Sequence, residues 1–185
     1  TGMIYYNKSR NWFFIGREIF TLSRQDPNLF MLWSKPHISK IYEALTAIAD
    51  GRIELVSENK ARCYSSSKGK FYEIEYDPET NSIMSNDNTA YYTGAVSYPM
   101  VALLMLKEKI IYEPKLLDML KGILWKDINQ KFKNDYDKAV EYVLENLNLN
   151  NSETPIIRDK AVASVLEDLG SKGFDTAFIK SEVAK

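Results

Sequence analysis

Residues 100–106 read MVALLML, seven apolar residues in a row. With Tyr98-Pro99 before it and Lys107 after it, the run suits a short helix that is apolar all round. Such a helix has no face for water and belongs at the centre of a domain. The chain must therefore supply cover on every side. The helix is expected to lie on the dry face of a sheet, with other helices around it. At 185 residues, the length suits about one domain, or one domain with an appendage.

The sheet is readable just upstream. RIELVS, KARCYSSS, KFYEIEYD and SIMS are short segments with period-two alternation, separated by turn signals. Glu58-Asn59 joins the first pair and Lys68-Gly69 the second. The segment DPETN joins the third pair, where Pro78 suits a turn's second position and Asn81 can go left-handed. In the third strand Tyr72, Ile74 and Tyr76 point one way and Glu73, Glu75 and Asp77 the other, as in a half-buried antiparallel strand. These segments predict a four-stranded antiparallel meander over residues 52–86.

Helices are expected on both sides of the meander in sequence. In NWFFIGREIFTLSR, Trp12, Ile15, Ile19 and Leu22 share a helical face, although Phe, Ile and Thr also suit strands. DPNLFMLW offers Asp26 as an N-cap and Pro27 at the first helical position. SKPHISKIYEALTAIADG has Pro36 to open it, a stripe of Ile38, Ile41, Leu45 and Ile48, and Gly51 to close it. Downstream of the apolar run, Pro114 starts a helix ending near Gly122. The stripe Trp125, Ile128, Phe132, Tyr136, Val140, Val143 and Leu147 predicts a single long helix. Asn-rich NLNLNNSET then marks a linker, followed by a helical hairpin with Ile157, Ala161, Val165 and Leu169 on one face, a break at Gly170 and Gly173, and Asp175 as an N-cap.

The expected architecture is thus α+β: N-terminal helices, a four-stranded antiparallel meander packed against helices, and a C-terminal helical hairpin. Residues 3–148 form the α+β domain and residues 149–185 the hairpin, an appendage that closes the domain or forms a homodimer. A helix–turn–helix DNA reader is the alternative for those last residues.

Charge and ligand counts exclude several functions. Twenty-four Lys and Arg nearly balance 25 Asp and Glu, so no global field draws in nucleic acid or an acidic membrane. Residues 1–40 carry a local basic excess: Lys8, Arg10, Arg17, Arg24, Lys35 and Lys40 against Glu18 and Asp26. Arg10, Arg17 and Arg24, mixed with Trp12, form either a solvated face or a phosphate-contacting patch. Tyr91 and Tyr92, in the loop before the apolar run, are a second candidate contact surface. Cys63 and His37 are the only cysteine and histidine, which excludes an intrachain disulfide and a four-ligand Cys/His zinc site. No apolar run approaches the ~20 residues that span a bilayer, and no secretory signal is visible. A soluble, cytoplasmic protein is expected.

Catalytic signatures are scarce. The chain has no phosphate-binding loop, dinucleotide fingerprint, serine elbow or His-Glu-x-x-His helix. A Cys63/His37 nucleophile pair would need the two side chains adjacent. Glu73, Glu75 and Asp77 could act as paired carboxylates, or simply form the wet side of a strand. Asn86-Asp87-Asn88 could offer oxygen ligands, but turn chemistry explains it better.

Taken as one unit, residues 63–106, CYSSSKGKFYEIEYDPETNSIMSNDNTAYYTGAVSYPMVALLML, resemble the SWIM-type zinc finger. That pattern is a β-hairpin carrying Cys-x-Cys, a loop, and Cys-x-His opening a helix. The resemblance puts the two strand thiolates at Ile83 and Ser85 and the Cys-x-His pair at Ser97 and Pro99, so all four ligands are missing. It implies a ββα unit with no zinc and no cofactor, held by apolar burial, with Ser97 capping the helix. It also implies a binding role. A generic meander followed by a buried helix accounts for the same segment. The expected function is a non-catalytic intracellular binding or adaptor protein whose partner is a protein or, second, nucleic acid. The alternative is a carboxylate-dependent hydrolase or small-ligand enzyme using Glu73, Glu75 and Asp77.

Overall fold

The computed structural model describes residues 4–7, 12–15, 18–21, 31–67, 69–147 and 169–171. The chain divides into two compact units, Thr1–Phe30 and Met31–Lys185.

The first unit is β structure where a helix was expected. Strands β1 (Ile4–Asn7), β2 (Trp12–Ile15) and β3 (Glu18–Thr21) form an antiparallel sheet in the order β1-β2-β3. Tyr5 pairs with Phe14, and Phe13 with Phe20. The helical stripe from Trp12 to Leu22 had to run through Gly16. Instead, WFFI and EIFT follow the strand preference of aromatic and β-branched residues and pair antiparallel.

In the second unit, the α+β fold and its four-stranded antiparallel meander are as expected. Strands β5 (Ile53–Ser57), β6 (Lys60–Tyr64), β7 (Phe71–Asp77) and β8 (Ser82–Ser85) pair in sequence order. Asn81 adopts a φ of 48° in the last turn, where Asp77 accepts from the Glu79 amide and the Thr80 hydroxyl. Two short strands extend the sheet to β4-β9-β8-β7-β6-β5. They are β4 (Met31–Leu32) and β9 (Gly170–Ser171), the latter parallel to β8. Met31 and Leu32 are therefore strand rather than the end of a helix begun at Pro27. Beside them, buried Trp33 donates its indole N–H to the carbonyls of both Ile83 and Gly170, at 3.0 and 3.1 Å. That bond ties the added strands to the meander.

Helix α1 (Ile38–Ala49) precedes the meander; α2 (Asn88–Thr93), α3 (Tyr98–Leu106), α4 (Lys115–Leu120), α5 (Trp125–Lys131) and α6 (Tyr136–Asn146) follow it. Pro99 to Met105 of α3 are all buried, as the apolar run demanded, between the sheet and α1. Residues 39–47 of α1 are buried as well, its polar Ser39, Lys40, Glu43 and Thr46 included. These polar groups are matched internally: Lys40 Nζ meets Glu43 at 2.8 Å, and the Trp125 indole donates to Thr46 Oγ1 at 2.8 Å.

The long helix expected over residues 125–147 is two helices. Lys133 and Asn134 take left-handed φ values of 53° and 64°, and Asp135 caps α6 by accepting from the Lys138 amide. An Asn before an Asp offers both a tolerated left-handed residue and a strong N-cap. That local preference outweighs the continuous stripe, whose apolar members pack from two helices instead of one. The C-terminal hairpin lies outside the described residues apart from 169–171, where Leu169 is buried and Gly170 begins a strand.

Candidate functional site

The junction between β8 and α3 is organised by one carboxylate. Asp87 is 4% exposed and accepts four hydrogen bonds. Its Oδ1 takes the amides of Thr89 and Ala90, at 2.9 and 3.1 Å, as the N-cap of α2. Its Oδ2 takes the hydroxyls of Ser85, at 2.7 Å, and Ser97, at 2.5 Å. Turn chemistry thus accounts for Asp87, as expected, but the hydroxyls add a role that the sequence did not disclose. Ser97 does not cap α3 through its side chain; its hydroxyl is committed to Asp87. Pro99 does sit in the first turn of α3, and Ile83 lies in the core. Of the four would-be ligand positions, Ser85 and Ser97 meet on a single oxygen, while Ile83 and Pro99 are packing residues.

A cavity of about 300 Å³ lies where the core-facing side of the sheet meets α1 and α5. Arg52 and Glu43 are among its walls, 5% and 6% exposed. Arg52 donates from Nε to Asp50, at 3.2 Å, and from Nη1 to the Tyr64 carbonyl, at 2.8 Å. Asp50 in turn accepts from the Gly122 amide, at 2.7 Å, which locks the arginine to the end of α4. Glu43 Oε1 accepts from Lys40 and from Asn129 Nδ2, the latter at 3.1 Å. Asn129 Oδ1 is buried and has no partner among the described residues. Tyr98 and Tyr72, edge to face with centroids 6.4 Å apart, also line the cavity.

Cys63 lies on the same sheet face, where its thiol donates to the Tyr64 carbonyl at 3.8 Å. Burial pushes its thiol up to about 12, against the pull of Arg52. Burial likewise raises Tyr98, and the neighbouring Cys63 adds to it. A thiol held protonated is a poor nucleophile. His37 is not beside it: Nδ1 accepts from the Ser39 amide as the cap of α1, and Nε2 lies 3.2 Å from Asp137.

The acidic face of β7 is a cross-strand charge ladder. Glu73 pairs with Arg62 at 3.5 Å and Glu75 with Lys60 at 3.4 Å, while Asp77 serves its own turn. Each acid is matched locally and the three do not converge on one point. Tyr91 and Tyr92 are in α2, not a loop; their rings pack edge to face at 4.8 Å, and Tyr92 is exposed. Arg10, Arg17 and Arg24 lie outside the described residues. Among the described residues, no group of three or more His, Cys, Asp or Glu side chains could hold a metal. No helix among them is long and apolar enough to cross a membrane.

Glu43, Arg52, Tyr98 and Asn129 carry no site signal in the sequence, because they come from separate segments of the chain. Glu43 and Asn129 also carried residue types expected on a solvated helix face. The one available signal was that Arg52 follows the Asp50-Gly51 helix stop directly.

Fold and site together define an α+β protein with a carboxylate knot at its strand–helix junction and a polar cavity beside a closed thiol. The chain belongs to the family described as uncharacterised conserved protein UCP014422, whose model matches residues 33–175. The match begins two residues into the second compact unit. No curated protein and no solved structure matches the chain.

Proposed function

We propose that the protein is a non-catalytic, cytoplasmic binding or adaptor protein built on a metal-free, SWIM-like ββα unit, and that its partner is another protein. The observation that carries this reading is the Asp87 knot. Ser85 and Ser97, which the resemblance places at ligand positions, come together on one buried carboxylate. In a zinc finger the metal performs that joining and supplies about 10–16 kcal/mol of folding energy. Here hydrogen bonds and the burial of α3 hold the same junction, and recognition is the role left to the scaffold.

The surface best suited to a protein partner is the outer edge of β5. Tyr64 donates its amide to the Arg52 carbonyl, so by antiparallel alternation Ile53 and Leu55 turn their backbone groups away from β6. No described residue pairs with that edge. Leu55 and Val56 are exposed there. An extended segment could add to Ile53–Leu55, with an apolar residue against Leu55 and a basic one near Glu54; the irregularity between Leu55 and Ser57 ends the regular edge. The wet sheet face alternates in charge sign through Lys60, Glu75, Arg62 and Glu73, which favours a protein over a phosphate backbone. Homodimerisation through the C-terminal residues would be compatible with this surface.

Elemental analysis of the purified chain tests the scaffold half, with no stoichiometric zinc and no EDTA-dependent change in melting expected. Selection of extended peptides from a display library tests the partner half. Selected peptides should protect the Ile53 and Leu55 amides from hydrogen exchange and lose binding in Leu55→Pro. Stoichiometric zinc, or protection confined to other elements, would overturn the reading.

A further inference from the structure

We propose that the cavity between the sheet, α1 and α5 binds a small zwitterion of the α-amino-acid type, separately from any partner on β5. Three polar groups in its walls have bonding capacity left over. Arg52 uses Nε and Nη1 within the protein, and its Nη2 makes no hydrogen bond among the described residues. Among the described residues, Glu43 places both its bonds on Oε1 and none on Oε2. Asn129 spends its Nδ2 on Glu43, and its buried Oδ1 has no partner among the described residues. Of the three, Asn129 Oδ1 is the atom both buried and unmatched among the described residues, which costs about 1–3 kcal/mol, so a ligand that draws it into a bond together with Arg52 and Glu43 gains.

The signs of these groups select the ligand. Arg52 supplies a donor for a carboxylate; Glu43 and Asn129 supply acceptors for an ammonium group. A plain anion would satisfy Arg52 and set its oxygens against two acceptors. A plain amine would satisfy the acceptors and leave the guanidinium unmatched. Both buried ions already hold one neutralising partner, Asp50 for Arg52 and Lys40 for Glu43. The site therefore favours a ligand with no net charge that carries both a carboxylate and an ammonium group. About 300 Å³ accommodates a molecule of this size. Tyr72 and Tyr98 give an aromatic wall for its remaining substituent, and exposed Lys126 stands among the lining residues.

Isothermal titration and thermal shift of the full chain against the twenty standard α-amino acids provide the test. At least one should bind with a dissociation constant below roughly 10 mM. Its carboxylate-only and amine-only analogues, such as propionate and ethylamine for alanine, should bind at least about tenfold more weakly. Glu43→Gln, which keeps an oxygen for Lys40 and Asn129, should lower affinity by a similar factor while leaving the circular dichroism spectrum unchanged. If that variant fails to fold, the analogue series on the unaltered chain decides alone. Absence of binding by every amino acid overturns the proposal, as does equal affinity for the carboxylate-only analogue, or a folded Glu43→Gln variant that binds undiminished.

Discussion

Ser97 Oγ lies 2.5 Å from Asp87 Oδ2, across ten residues of sequence and with both side chains buried. The contact joins the start of α3 to the end of β8, since Ser85 shares the same oxygen. Asp87→Ala would leave two hydroxyls and two amides without their acceptor. Hydrogen bonds to a charged group contribute about 1.5–3 kcal/mol each, though not additively. A loss of about 3 kcal/mol is expected in urea unfolding. Asp87→Asn retains an oxygen for the α2 amides and should cost about half as much. Equal stability of both variants and the parent would mean that the knot holds nothing.

The sheet was legible because each strand of the meander carries its own alternation and its own turn residues, and neither depends on distant contacts. α3 was legible for a related reason: a run with no polar face allows one placement. The first unit was not legible because Trp12, Ile15, Ile19 and Leu22 satisfy a helical period by chance, while the aromatic and β-branched residues of WFFI and EIFT pair as strands. The cavity was not legible at all. Arg52, Glu43 and Asn129 come to line one cavity only after α1, the segment before β5 and α5 have packed, and nothing in their sequence neighbourhoods distinguishes them from solvated polar residues.

Thr46 and Trp125 make a second long-range bond, buried at both ends. Thr46→Val keeps the volume and removes the acceptor, so the indole N–H is stranded. The expected loss is about 1–3 kcal/mol. Thr46→Ser should recover most of it, and Trp125→Phe together with Thr46→Val should cost less than the two changes summed. A double-mutant cycle by chemical denaturation measures this coupling directly.

The break between α5 and α6 rests on left-handed backbone at Lys133 and Asn134. A lysine in that region costs about 1 kcal/mol relative to a glycine, which has no Cβ to clash. Lys133→Gly is therefore expected to raise stability by up to about 1 kcal/mol, although glycine placed inside a continuous helix would lower it. A decrease in melting temperature would show that residues 125–147 form one helix in solution.

The edge of β5 makes a backbone prediction that needs no partner. Ile53 and Leu55 should exchange their amide hydrogens much faster than Glu54, whose groups face β6, because an edge strand is protected on one side only. Residue-resolved hydrogen exchange on the free chain reads this alternation. Uniform protection along β5 would mean that another part of the chain already covers the edge.

Cys63 sets the behaviour at alkaline pH. Its thiol is raised from 9.0 to about 12 by burial, so the native state keeps this proton while the unfolded chain releases it. Below pH 9 the thiol is protonated in both states and contributes no pH dependence. Between pH 9 and about 12 the unfolded state binds fewer protons, and stability falls as pH rises by at most about 1.4 kcal/mol per unit for this one group. Tyr98, also raised by burial, adds a loss of the same sign above its ordinary value of 10.0. Cys63→Ala should leave a small constant deficit from the lost sulfur and a shallower decline between pH 9 and 10, measured by urea unfolding at matched ionic strength. The native thiol should also resist alkylation at pH 8 until denaturant is added. A parent and variant that decline in parallel, or a thiol that alkylates rapidly in the folded chain, would place Cys63 in contact with water rather than beneath Tyr98.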